Sequence, residues 1–475
     1  MQGTGASRAR TWVLIIAAAS SFMAALDTLV VTTALTTIRN DLGASIEQLE
    51  WTVNAFNLSF AVLLMTAAAL GDRFGRRRMF AVGLAAFAVA SAACAVAPSV
   101  GWLIAARAAQ GIGAALITTL ALALVTAAFP PEKRGSALGI FFAITGLAVA
   151  SGPLVGGAIA EGIEWPWIFW INVPIGLALV PLAMRRMPES FGPDAGLDIP
   201  GLALVTGGAF GLVWGLVRGN IAGWGSLEVV ATLAGGALLI AAFVAWQLRA
   251  PEPMLPMRFF RSRAFSAGNA SIFFAVGSLF CAVFFLAQFM QAGLGSGPLE
   301  AGLRLLPWTA TLFFVAPVAG AMVDRFGERP FLIAGPLLQA AGMAWIALIA
   351  DPGMAYGQMI PPLMVAGVGV SMCFPAAQNS VVGSVPAAAL GKASGVNMTM
   401  REMGGVFGIA LSVAVFAGAG SYASAQAFSD GFVAAMGLSA GLSVVSAICG
   451  AALPGRREPE PRLEPGAIPA FEAEG

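Results

Sequence analysis

Histidine is absent from the 475 residues, and charged residues make up only 10% of them. Without imidazole, any proton chemistry has to run on carboxylates. Cysteine is scarce. Cys94, Cys281, Cys373 and Cys449 each lie alone in an apolar run, without metal-ligand spacing, and read as small buried hydrophobes rather than a disulfide framework or a metal site. No Gly-x4-Gly-Lys-Ser/Thr stretch is present to cradle a nucleotide phosphate, which argues against ATP-driven work. No hydrophilic segment is long enough for a soluble domain, and no nucleophile–base constellation is available. Neither an enzyme nor a sensor is indicated, and no cofactor is expected. The net charge of +1 says little about partners, because the charges are segregated by loop; nucleic acid is not among those expected.

What fills the chain is hydrophobic: 58% of its residues, with 58 glycines besides and a mean hydropathy of +0.85. Apolar runs of about 20 residues match a hydrocarbon core roughly 30 Å thick. Abundant glycine and alanine suit close helix packing in lipid, and the short alternating strands of a β-barrel are missing. An all-α polytopic membrane protein is predicted. Its first run is too long for a cleavable signal peptide and carries an Asp, so it reads as a retained helix. Spans are expected near 12–35, 51–70, 79–97, 101–126, 137–160, 165–184, 198–217, 228–248, 264–290, 303–323, 331–350, 357–382, 395–417 and 430–453. The Pro- and Glu-rich tail from Arg456 has the composition of a disordered segment.

The chain is organised around Gly71-Asp72-Arg73-Phe74-Gly75-Arg76-Arg77-Arg78, a charged stretch wedged between two apolar runs. It is expected to be a tight turn at a membrane surface, with Gly71 and Gly75 permitting it. Loops rich in Lys and Arg stay cytoplasmic. With fourteen spans, 20 of the 25 basic residues fall on that same face, which places both termini in the cytoplasm of a plasma-membrane protein. A shortened echo, Asp324-Arg325-Phe326-Gly327-Glu328-Arg329-Pro330, implies two similar halves. The expected division is a six-helix bundle at 1–190, a two-helix insert at 191–255, a second six-helix bundle at 256–455 and a tail at 456–475. Two such halves imply a cavity near the bilayer midplane that opens alternately to each side.

Several stretches together resemble the major facilitator superfamily, and within it the fourteen-spanner branch of drug:proton antiporters. The 71–78 turn looks like the family's signature loop. Gly71, Asp72, Arg73, Gly75 and Arg76 would then form a cytoplasmic gate, although pure topology also accounts for the arginines. Arg107-Ala108-Ala109-Gln110-Gly111-Ile112-Gly113 resembles the motif whose embedded Arg the family ties to proton translocation; a snorkelling Arg107 is the alternative. The run from Gly146 to Gly157, with Gly152, Pro153, Gly156 and Gly157, looks like the antiporter signature, a kinked smooth surface that the family associates with export; a plain packing kink is the other reading. Trp165-Pro166-Trp167-Ile168-Phe169-Trp170-Ile171-Asn172-Val173-Pro174-Ile175-Gly176 is also similar, with Pro166 where an Arg is usual. So is the stretch from Gly297 to Pro307. The first span departs more: Asp27 is kept, but Leu29, Thr32 and Thr36 stand where Thr, Asn and Pro are usual.

The resemblance implies a proton-coupled exporter of hydrophobic or cationic drug-like compounds, working by alternating access on the proton gradient. The alternatives are an exporter of one endogenous product, such as an antibiotic or lipid, and a proton-coupled symporter. Its partners would be that small molecule, protons and the bilayer, and a monomer is expected. Asp27, Arg107 and Glu402 are the proton-coupling candidates. A carboxylate taken out of water tends towards its neutral form, so a change of surroundings can move a proton. Asp27 is expected about four turns into its span, near mid-bilayer. Arg401 and Glu402 are expected to face different partners, since adjacent helical residues point about 100° apart; Glu402 reads as a second proton site, a contact for cations or a structural ion-pair member. Cavity candidates are Asn54, Asn57, Gln288, Gln291, Gln378, Asn379, Asn397 and Arg401, walled by Phe56, Phe142, Trp308 and Met372.

Overall fold

The computed structural model describes residues 2–44, 46–162, 164–192, 198–251, 253, 255–386, 389–421 and 423–455. The tail assigned to disorder by its composition lies outside them. The helices are α1 (Gln2–Leu42), α2 (Ile46–Phe74), α3 (Arg76–Ala95), α4 (Val100–Ala128), α5 (Pro131–Gly162), α6 (Trp167–Trp170), α7 (Asn172–Arg186), α8 (Ile199–Ala222), α9 (Leu227–Gln247), α10 (Arg263–Gln288), α11 (Pro298–Arg304), α12 (Leu306–Phe326), α13 (Arg329–Ile349), α14 (Ile360–Gly383), α15 (Leu390–Ala419) and α16 (Ala425–Ala451). Thirteen helical segments are long and apolar enough to cross a membrane. The expected span at 137–160 falls within the 32-residue α5, which is not among those thirteen.

Side-chain caps set several starts. Ser99, Ser226, Ser262 and Ser424 each accept from a backbone N–H of the first turn of α4, α9, α10 and α16. Local departures from a plain span sit where the chain leaves the apolar run. The short α6 leads into α7, a π-helical turn at Phe289–Gly293 ends α10, and α11 precedes α12.

The stretch 71–78 is tighter than a loop. Gly71 to Phe74 finish α2, Arg76 opens α3, and Gly75 alone turns the chain at φ +101°. Only glycine adopts that conformation without strain. Gly71 serves packing instead, because a Cβ there would run into Leu120 of α4. The echo repeats the device, with Gly327 at φ +82° between α12 and α13.

Helices α1–α7 pack on one another, as do α10–α16. Across the two sets, α5 runs against α12 and α2 against α15. The pair α8–α9 is joined to the rest through α8, which lies on both α2 and α15. Trp51 of α2 meets Trp214 of α8 at 5.1 Å between ring centroids, and the Thr66 and Thr206 hydroxyls hydrogen-bond at 3.0 Å. One face of the α2–α15 seam is therefore covered. We call the end of the molecule that carries the 71–78 turn the basic end, and its opposite the far end.

Candidate functional site

Arg107 and Gln110 are three residues apart on α4 and so share a face. That face points at Asp27 of α1. Arg107 Nη1 donates to Asp27 Oδ2 at 2.5 Å and to Gln110 Oε1 at 2.6 Å. Gln110 Nε2 donates to Asp27 Oδ1 at 2.9 Å and to Ser91 Oγ of α3 at 2.6 Å. Asn172, at the start of α7, gives the same Oδ1 a second donor at 2.7 Å. Arg107 Nε reaches the Thr52 carbonyl of α2 at 3.2 Å, and its guanidinium lies 4.3 Å from the Phe56 ring centroid. Both charged side chains have no solvent exposure. Five helices thus converge on one neutral, closed ion pair, and Arg107 ends on Asp27 instead of reaching for the membrane surface.

Arg107 is about two turns, roughly 10 Å, from the far end of α4. Ser91 is similarly close to the same end of α3. The cluster therefore lies towards the far end of α3 and α4, whereas counting turns along the first apolar run puts Asp27 near the middle of its span. Helix α1, with 41 residues, is about 60 Å long, roughly twice the hydrocarbon thickness, so position along it does not fix depth. Sequence reasoning attaches no role to Ser91, Gln110 or Asn172; Gln110 and Asn172 lie inside stretches that carry the resemblance, while Ser91 is a lone hydroxyl in an apolar run. Asn172→Leu should lower unfolding stability by about 1–3 kcal/mol, because it strips a buried carboxylate oxygen of one donor. A thermal melt of the purified protein checks this.

A second set of charges closes the basic end. Asp72 pairs with Arg76 through Nε and Nη2, each at 2.9 Å, and both side chains are buried. Its carboxylate lies over Gly391 in the first turn of α15, where a Cβ would strike it. The N-terminal turn of a helix favours such an anion. Glu189, after α7, accepts from the Arg77 N–H at 2.9 Å and faces the Arg77 and Arg78 guanidinia at 3.4 and 3.6 Å. Arg73 is exposed. The echo mirrors this: Asp324 accepts from the N–H groups of Gly135 and Ser136 on α5, both at 2.8 Å. Each half thus sets one aspartate on a helix start of the other, and Glu189, unmarked in the sequence, ties down the turn.

The remaining candidates divide. Gly152 is buried in α5, while the surroundings of Pro153, Gly156 and Gly157 lie outside the described residues. Asn54 and Asn57 are half-buried on α2. Gln288 and Gln291 donate to carbonyls of their own segment at 3.0 and 3.2 Å. Trp308 is buried, as are Gln378, which reaches Ser394 at 3.3 Å, and Asn397, which reaches Asn269 at 3.3 Å. Asn379 donates to Glu328 at 2.8 Å. Arg401 and Glu402 face each other at 3.6 Å rather than separate partners. Their long side chains span the angle between adjacent positions.

Comparison with known proteins bears on what this arrangement serves. A family model described as Major Facilitator Superfamily matches residues 17–287 and 268–472. The chain is 36% identical over 414 residues to the tetracenomycin C resistance and export protein of Streptomyces glaucescens, covering 85% of this chain and 76% of that one. It is 34% identical to the cephamycin export protein CmcT of Amycolatopsis lactamdurans, covering 90% of each. It is 33% identical to the multidrug resistance protein Stp of Mycobacterium tuberculosis, covering 86% and 76%. Among solved structures, the proton:xylose symporter XylE superposes with a TM-score of 0.65 at 15% identity, over 93% of this chain and 95% of that one. At that identity the likeness concerns the fold alone.

Proposed function

The chain belongs to the major facilitator superfamily and is a multi-pass membrane transporter, and on that premise we propose that it exports hydrophobic, drug-like compounds in exchange for protons. The observation that carries this reading is the sealed Asp27–Arg107 pair towards the far end of a molecule whose basic end is latched shut. The concentration of Lys and Arg at the basic end supports a cytoplasmic placement of that end, in a protein of the plasma membrane. A proton arriving from outside would then meet Asp27 beneath the outer surface. Once neutral, Asp27 no longer balances Arg107, and the five-helix cluster is free to rearrange. In the outward-open state the proton is taken up and the substrate leaves; in the inward-open state the proton passes to the cytoplasm and the pair is restored as the next substrate enters. The relatives named for tetracenomycin C, cephamycin and multidrug resistance support export of antibiotic-like molecules.

Everted membrane vesicles test this directly. A proton gradient, acid inside, should drive accumulation of one or more dyes from a hydrophobic panel, and a protonophore should abolish it. Uptake that needs the opposite gradient would make the protein a symporter and overturn the reading.

A further inference from the structure

Away from the basic end, each half of the molecule sets an ion pair among its helices, Asp27–Arg107 in one and Arg401–Glu402 in the other, and the two are built differently. Both Asp27 oxygens accept hydrogen bonds, Arg107 bonds through Nε and Nη1 although its Nη2 is buried without a partner, and the pair is closed to solvent. Arg401 and Glu402 are neighbours on α15, so their geometry is poor. Arg401 Nε stands 3.6 Å from Glu402 Oε1, beyond hydrogen-bond reach. That Nε is buried with no acceptor, yet 22% of the Arg401 side chain and 21% of Glu402 remain accessible. Arg401 lies about 17 Å along α15 from the basic end, which is membrane depth.

The Arg401 guanidinium is also placed between the halves. Its carbon is 5.1 Å from the Phe374 ring of α14 and 5.9 Å from the Phe142 ring of α5. Those rings meet at 5.5 Å between centroids, one from each half. A fork of donors short of acceptors, backed by two aromatic faces at the seam of a transporter, is a binding element.

Resting on the export reading above, we propose that Arg401, with Phe142 and Phe374, anchors the substrate, and that the class it takes is planar aromatic compounds bearing oxygen acceptors: carboxylate, phenolate or conjugated carbonyl. The acceptor oxygens complete the guanidinium fork, which prefers such planar, two-point partners. The aromatic body lies against the phenylalanines. Glu402 is the internal partner that the substrate displaces. A cation would instead compete with Arg401 for Glu402 and leave the fork unsatisfied.

Two xanthene dyes of opposite charge isolate the point. Fluorescein and rhodamine 6G share a ring system, and their binding to the purified full-length protein in nanodiscs is read by fluorescence anisotropy, with no gradient present. Fluorescein should bind at least tenfold more tightly than rhodamine 6G. Arg401→Ala should lose at least tenfold of the fluorescein affinity. Arg401→Lys, which keeps the charge and guards against misfolding, should lose several-fold because the planar fork is gone. Glu402→Gln should bind fluorescein as well as wild type or better. Unchanged fluorescein affinity in both Arg401 variants overturns the proposal. So does binding of neither dye, or a preference for rhodamine 6G that Glu402→Gln removes. Asp27→Asn should keep fluorescein binding, and a wild-type protein that binds fluorescein in this way yet shows no proton-driven transport in everted vesicles strikes the export reading and leaves this one standing.

Discussion

Asp27→Asn is expected to reduce proton-driven efflux by more than tenfold, to the level of passive leak, while substrate binding persists. The substitution is nearly isosteric, so Oδ1 can go on accepting from Gln110 and Asn172. The other oxygen becomes an NH2 group facing Arg107 Nη1, donor against donor. Breaking a buried pair by removing one charge commonly costs about 3–5 kcal/mol. Here the cost is cushioned, because Arg107 still holds Gln110 Oε1, the Thr52 carbonyl and the Phe56 ring. A lower melting temperature with an intact fold is therefore expected. What the variant lacks is a group whose charge changes, and with it any dependence of efflux on pH. Asp27→Glu keeps a titratable group and should retain part of the driven rate. If Asp27→Asn exports at the wild-type rate with the wild-type pH profile, Asp27 is not the coupling group.

The residues that sequence exposes and those it hides differ by charge. An Asp or Arg in an apolar run stands out because hydrocarbon penalises it, so Asp27, Arg107, Arg401 and Glu402 are visible as isolated events. Their geometry is not. Asn172 and Ser91 hold the carboxylate cluster from two other helices, and nothing local distinguishes them from amides and hydroxyls that bond their own helix, as Gln288 does. Depth is not legible for a related reason: α1, with 41 residues, is about twice as long as the hydrocarbon is thick, so counting turns along it does not fix a position. The Arg401–Glu402 contact defeats an argument from helical angles because it is made by side-chain length. The spans themselves are legible, since about 20 apolar residues admit few other fates. The basic turn is legible as a charged break, though its eight residues reduce to one glycine with both flanking helices running into it.

The α5–α12 seam carries the second large effect. At Gly320 a Cβ would fall on the Gly135 carbonyl and close to Gly139, and at Gly139 one would strike the Ala316 carbonyl, so the two backbones touch. That contact brings Asp324 within 2.8 Å of the N–H groups of Gly135 and Ser136. Gly320→Val puts three carbons where there is no room, and overpacking of this kind costs about 1–3 kcal/mol. In an alternating-access transporter the cost falls on the state with this end closed, since opening separates the same helices. A differential of that size shifts a two-state equilibrium by about 5–150-fold. Gly320→Val is accordingly expected to fold, to rest open at the basic end and to lose more than tenfold of its transport rate. Gly320→Ala should fall in between. Gly235→Val, on α9 with nothing near its Cβ position, should behave as wild type. Accessibility reads the change without any transport assay: a cysteine in place of Ser136 should react with an impermeant maleimide at least tenfold faster in the Gly320→Val background. Equal labelling in both backgrounds, with normal transport, would mean that this seam does not open.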